Sequence, residues 1–113
     1  MSRGAFDRVE ALGLALPDVG ASTKYDGSPV LKRGGAFMAG MATHPSAEAE
    51  TLVVRTTADD RENLLAEAPN TYYITDYYRP HPVVLARLGR LEHDALHDLL
   101  SVSWRLTQTK ARR

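Results

Sequence analysis

Two adjacent glycines, Gly34 and Gly35, stand between the apolar runs Val30–Lys32 and Ala36–Met41. Glycine reaches positive φ without a Cβ clash, so a glycine pair joining two such runs reads as a tight hairpin. A hairpin commits its two strands to antiparallel pairing, which argues against an all-parallel sheet. No G-x-G-x-x-G or Walker pattern surrounds the pair and no helix follows it, which favours a turn over a phosphate cradle.

The flanking chain extends this reading. Phe6, Val9, Leu12 and Leu16 recur at helical spacing with Asp7, Arg8 and Glu10 between them, so residues 5–16 are expected to be a helix that Pro17 ends. Asp18–Ser22 reads as a connection, Lys24-Tyr25 as a short extended piece and Asp26-Gly27 as a turn. Thr43–Glu50, with His44-Pro45, is a polar loop, and Thr51–Thr56 is the third main strand. Thr57 caps a second helix, with Asp59, Asp60 and Glu62 where the helix dipole favours acids. Its inner stripe is Arg61, Leu64, Leu65 and Ala68, with Arg61 expected to snorkel. Tyr72–Thr75 and Val83–Leu88 are the last two strands. Glu92 to about Thr107 is the final helix, turning Leu96, Leu99, Leu100, Ser103 and Leu106 inward, with Trp104 at the edge of that stripe. The order α-β(3)-α-β(2)-α defines a two-layer α+β fold. A mainly antiparallel five-stranded sheet is packed by helices on one face, leaving the other open.

A chain of 113 residues reads as one domain spanning 1–113, with a basic tail at about 108–113. It has no cysteine, which excludes disulfides and thiolate metal sites and fits a reducing cytoplasm. No apolar run is long enough to span a bilayer, and acids interrupt the N-terminus before any signal-peptide core forms. A monomer without membrane contact is expected. Fourteen basic and fourteen acidic residues cancel, which disfavours general phosphate-backbone binding. The distribution is uneven: residues 1–76 carry 7 basic and 11 acidic side chains, and residues 77–113 carry 7 and 3.

Strand alternation assigns faces. Val53 and Arg55 share one face, as do Leu85 and Arg87, so both arginines are expected on the open side, with Lys32 joining them. The turn between the last two strands adds Tyr77, Tyr78, Arg79 and His81, stiffened by Pro80 and Pro82. Rings, a guanidinium and an imidazole in one stiff turn can stack bases, grip a phosphate or anchor a protein contact.

Enzyme signatures fail. The chain has no cysteine nucleophile, no G-x-S-x-G elbow and no H-E-x-x-H, so neither catalytic residues nor a cofactor are expected. His93 and His97 share a helix face at i,i+4, yet no third ligand is evident, so they read as a surface pair rather than a metal site.

Taken together, these segments resemble the MmcQ/YjbR-like family along nearly the whole chain. The matching features are Leu16-Pro17 followed by an acid, Ser28–Lys32 with the Gly-Gly-Ala-Phe hairpin, Arg61–Leu65, Tyr72–Tyr78, Pro82–Leu88 and the Leu96-x-x-Leu-Leu helix with Trp104. The resemblance implies the same α-β(3)-α-β(2)-α fold, akin to secretion chaperones, and a non-enzymatic DNA-binding role with the paired hairpins as a double wing. The chain departs from the family pattern at Asp76, where histidine is usual, and at Val83, where a large aromatic often follows the proline. An acid in that loop weakens any phosphate contact there. The DNA-binding reading uses Lys32, Arg55, Arg79, Arg87 and the tail on the backbone, with Tyr77 or Tyr78 stacking. The alternative is a protein- or peptide-binding adaptor using the open sheet face and the Asp76–Pro82 loop. A continuous positive face favours nucleic acid; scattered charges favour the adaptor.

Overall fold

The computed structural model describes the backbone of residues 2–111 and the side chains of residues 5–107. The side chains of the basic tail at 108–113 lie outside the described residues. The elements, in order, are α1 (Ser2–Leu14), β1 (Val19–Thr23), β2 (Pro29–Arg33), β3 (Ala36–Met41), β4 (Thr51–Arg55), α2 (Ala58–Glu67), β5 (Tyr72–Tyr73), β6 (Val83–Arg87), a 3-10 turn (Leu88–Arg90) and α3 (His93–Ala111). The fold is α+β, with an antiparallel sheet in the order β1-β2-β3-β4-β6-β5.

The glycine hairpin forms as expected. Arg33 pairs with Ala36 across a two-residue loop, and Gly34 and Gly35 both take positive φ, 58° and 83°. This is the conformation whose twist suits a two-residue hairpin and that side chains with a Cβ resist.

The sheet has six strands, not five. The added strand is β1, in a stretch where the sequence predicts a connection. Four of its five residues are exposed, so it carries no apolar alternation. It is an edge strand held by its ladder to β2, from Val19↔Arg33 to Thr23↔Pro29. Lys24-Tyr25 is a turn rather than an extended piece: the Lys24 amide bonds to the Ser28 carbonyl (2.9 Å), and Asp26 Oδ1 accepts from the Ser28 amide (3.0 Å). The fourth expected strand shrinks from Tyr72–Thr75 to Tyr72–Tyr73, and Leu88 leaves the sheet for the 3-10 turn.

The helix side buries Phe6 and Val9 of α1 and Leu96, Leu99 and Leu100 of α3 against Leu31, Met38, Leu52, Val54 and Val84 of the sheet. Burial of this apolar surface is the main driving force for folding. Gly13 lets α1 approach β2 closely, because a Cβ there would strike the Leu31 side chain. Trp104 closes one edge: its indole N–H donates to the Pro17 carbonyl (2.8 Å), and the Arg33 guanidinium sits 4.2 Å above its ring. Ser103, fully buried, has its hydroxyl 3.0 Å from the Met38 carbonyl and 2.7 Å from that of Arg55. Arg8 tethers α1 to the 3-10 region through the carbonyls of Leu88 and Leu91. The Thr57 cap is also as expected, its hydroxyl accepting from the Asp60 amide (3.1 Å).

The second sheet face is not open. Val53, Val83 and Leu85 form a smaller apolar cluster covered by Tyr78, Ile74 and Ala47 from two loops, and Leu85 is 0% exposed. The 43–50 loop, expected as a polar connection, and the 74–82 segment, expected to present its side chains to a ligand, fold back over the centre of this face.

Candidate binding groove

The 74–82 loop is rigid for reasons its prolines only begin to explain. The amides of Tyr78 and Arg79 both donate to the Thr75 carbonyl, and the His81 amide to the Tyr78 carbonyl. Arg61 fixes it from outside. Its Nη1 lies 3.3, 3.0 and 3.1 Å from the carbonyls of Arg79, His81 and Val83. The expected snorkelling arginine is thus the strut of the loop.

With the loop fixed, Tyr77 and Tyr78 diverge. Tyr78 points inward, 9% exposed, and its hydroxyl accepts from the His44 amide (3.3 Å). Tyr77 points outward, 52% exposed, with its ring stacked on His44 at 3.6 Å between centroids and 11° between planes. His44 is held in turn, because its Nδ1 accepts from the Ser46 amide (3.1 Å) and Ser46 Oγ bonds to Thr75 Oγ1 (2.9 Å). The two loops therefore brace each other, and the outer ring is preorganised.

Beside Tyr77 runs a groove of about 360 Å³, lined among others by Lys24, Phe37, Arg55, Tyr77, Tyr78 and His81. Among the described residues, the Arg55 guanidinium has no hydrogen bond or ion pair. Lys24 Nζ donates once, to the Met41 carbonyl (3.2 Å), which leaves two donors free. Tyr25, next in the chain, is fully exposed.

Of the seven residues singled out from the sequence, four line this groove: Arg55, Tyr77, Tyr78 and His81. Lys32 is exposed on the same sheet face, since it pairs in register with Phe37. Arg79 stands outside the groove, 3.8 Å from Asp76. Arg87 is on the face assigned to it but at the far end: it pairs with Thr51, while Arg55 pairs with Val83. Four residues of strand separate the two arginines, about 13 Å. Lys24 and His44 were not singled out. Their roles rest on contacts with chain segments far away in sequence, and nothing local marks them.

Arg87 is engaged internally. Its Nε and Nη2 each donate to Glu48 at 2.9 Å, its Nη1 reaches the carbonyls of Pro69 and Asn70, and it lies 4.3 Å over the Tyr73 ring. The Arg87 hydrogen bonds, then its charge, hold the Glu48 carboxyl below the usual glutamate range, and the same bonds raise Arg87. A carboxyl depressed in the folded state contributes stability above its unfolded value and loses it as pH falls through the folded one. Glu48→Gln is therefore expected to lower Tm at neutral pH and to match the parent in acid. Thermal melts across that range check this; a gap that persists unchanged in acid would refute it.

His93 and His97 are both exposed on α3, and the described residues hold no cluster of three or more His, Asp or Glu able to grip a metal. Among those residues, no helix is long and apolar enough to cross a membrane. Fold and groove together define a two-layer α+β protein with a small cationic, aromatic cleft at one end of a covered sheet face. Compared with protein-family models, curated proteins and solved structures, the chain matches none.

Proposed function

We propose that this chain is a non-enzymatic binding module that takes a nucleic-acid strand in the Arg55–Tyr77 groove. The carrying observation is an internally unpaired guanidinium, Arg55, lining one cleft with a half-exposed aromatic ring, Tyr77, that His44 holds in place. A fixed ring stacks on any base, and a free guanidinium grips the adjoining phosphate. Lys24 and Lys32 supply further phosphate contacts. The reading is narrower than the double-wing DNA binding that the family resemblance implies. Arg87 is held by Glu48, and Arg79 lies outside the groove with an acid, Asp76, beside it, so few cations are grouped for a duplex backbone. A single strand, with its unstacked bases, suits the cleft better.

Two or three phosphate contacts give a salt slope of only about −2 on a log–log plot for a single strand. Titration of a fluorescent oligonucleotide, single-stranded and duplex, at two salt concentrations tests the reading. Tyr77→Ala is expected to weaken single-strand binding by roughly 1–3 kcal/mol, and Arg55→Glu by at least as much. Absence of binding to either form overturns it. The same scattering of cations favours the adaptor reading, now confined to the Asp76–Pro82 loop because the sheet face is covered. That reading gains if nucleic acid fails to bind.

A further inference from the structure

The helix side carries a second groove, independent of the first. α2 rests on β5 and β6, α3 rests mainly on β3 and β4, and between the two helices opens a trough of about 430 Å³. Its floor is apolar, built from Leu64, Ala68, Leu99 and Val102. No residue of α2 is fully buried, so the apolar stripe of Leu64 and Leu65 that should seat the helix stays half covered.

The rim is one-signed. Its charged side chains are Asp60, Glu67 and Asp98, with no base among the lining residues. Among the described residues, Asp98 has only the neighbouring His97 ring, 3.8 Å away. Tyr72 also lines the trough. It is 6% exposed, and its hydroxyl has no hydrogen-bond partner among the described residues. Burial, then the charges of Asp98 and Glu67, push this phenol above its ordinary range, so it stays protonated with oxygen lone pairs available as acceptors. The hydroxyl oxygen is not sealed from solvent, so a donor arriving in the trough can reach it.

We propose that this trough docks a basic amphipathic segment of a partner protein. The segment seats apolar side chains on Leu64, Leu99 and Val102. Its lysines or arginines reach Asp60, Glu67 and Asp98, and one of them donates to the Tyr72 hydroxyl. Spacing selects a chain over a small amine. Asp60 and Glu67 stand seven residues apart on α2, about 10 Å along the axis, with Asp98 opposite on α3. One ammonium group cannot meet both ends. Cations one or two turns apart on a helix can, in the groove-binding mode of amphipathic helices.

The test is a calorimetric titration of the whole chain with a designed helical peptide carrying leucine on one face and lysine on its flanks. The same peptide with glutamate for lysine, and butylamine, are run beside it. Expected is binding of the lysine peptide alone, with amide shifts at Leu64, Ala95 and Leu99 in a parallel NMR titration. The exposed-site double variant Glu67→Lys/Asp98→Lys is expected to weaken it by about tenfold or more, because two attractive pairs become repulsive. Tyr72→Phe should weaken it several-fold without lowering Tm, a split that a purely structural hydroxyl would not give. Equal binding of the glutamate peptide, indifference to the charge reversals, or butylamine binding as tightly as the peptide each overturns the proposal.

Discussion

Arg61→Ala is expected to destabilise the protein by about 2–3 kcal/mol and to free the 74–82 loop, the more informative of the two effects. One Arg61 nitrogen serves the carbonyls of Arg79, His81 and Val83. Hydrogen bonds to a charged donor contribute roughly 1.5–3 kcal/mol each, less when one nitrogen is shared, and the carbonyls are left short of a partner when it goes. Two of the three contacts are exposed, so water recovers part of the loss. The readouts are the denaturation midpoint and the rate of proteolysis within 74–82. A variant with both unchanged would show that the three contacts hold nothing. Because Tyr77 rides on this loop, single-strand binding should fall with it.

Leu85→Ala is the second large effect, expected at about 3 kcal/mol in a range of 2–5. Leu85 is 0% exposed and packs with Val53, Val83 and Tyr78 under the two loops. On an open sheet face the same truncation would cost under about 1 kcal/mol, since most of the methyl surface would already meet water. Urea denaturation decides: a lower midpoint at unchanged slope fits a covered cluster. A shift of less than about 1 kcal/mol would mean that the loops do not cover the face in solution. Against a total stability of roughly 6–17 kcal/mol for this length, a loss of 3 is easily measured.

These two residues also show where reading the chain succeeds and where it stops. The alternation in Thr51–Arg55 and Val83–Arg87 assigned Leu85 and both arginines to the correct face, because a strand's period of two is a local property. It could not say whether that face met water. Cover comes from Tyr78, Ile74 and Ala47, whose own neighbourhoods look like ordinary loops. Arg61 was recognised as a base on an apolar stripe, yet its partners lie 18 to 22 residues away. Arg87 was expected to face a ligand, and faces Glu48, 39 residues distant, in a 2.9 Å fork. β1 went unseen for the opposite reason: an edge strand held by backbone bonds needs no side-chain pattern at all.

Interactions between near neighbours in the chain are legible without the fold. The Gly34-Gly35 hairpin, the Thr57 cap, the inner stripes of the helices and the inward and outward sides of the central strands all follow from spacing and backbone sterics. Tertiary structure alone decided which polar groups are already taken. It paired Arg87 with Glu48, stacked Tyr77 on His44, and left Arg55 and the Tyr72 hydroxyl without a hydrogen-bond partner among the described residues. The physical reason is that a charge or hydroxyl is free for a ligand only if the fold brings it no partner, and such partners come from segments that only the closed chain sets side by side.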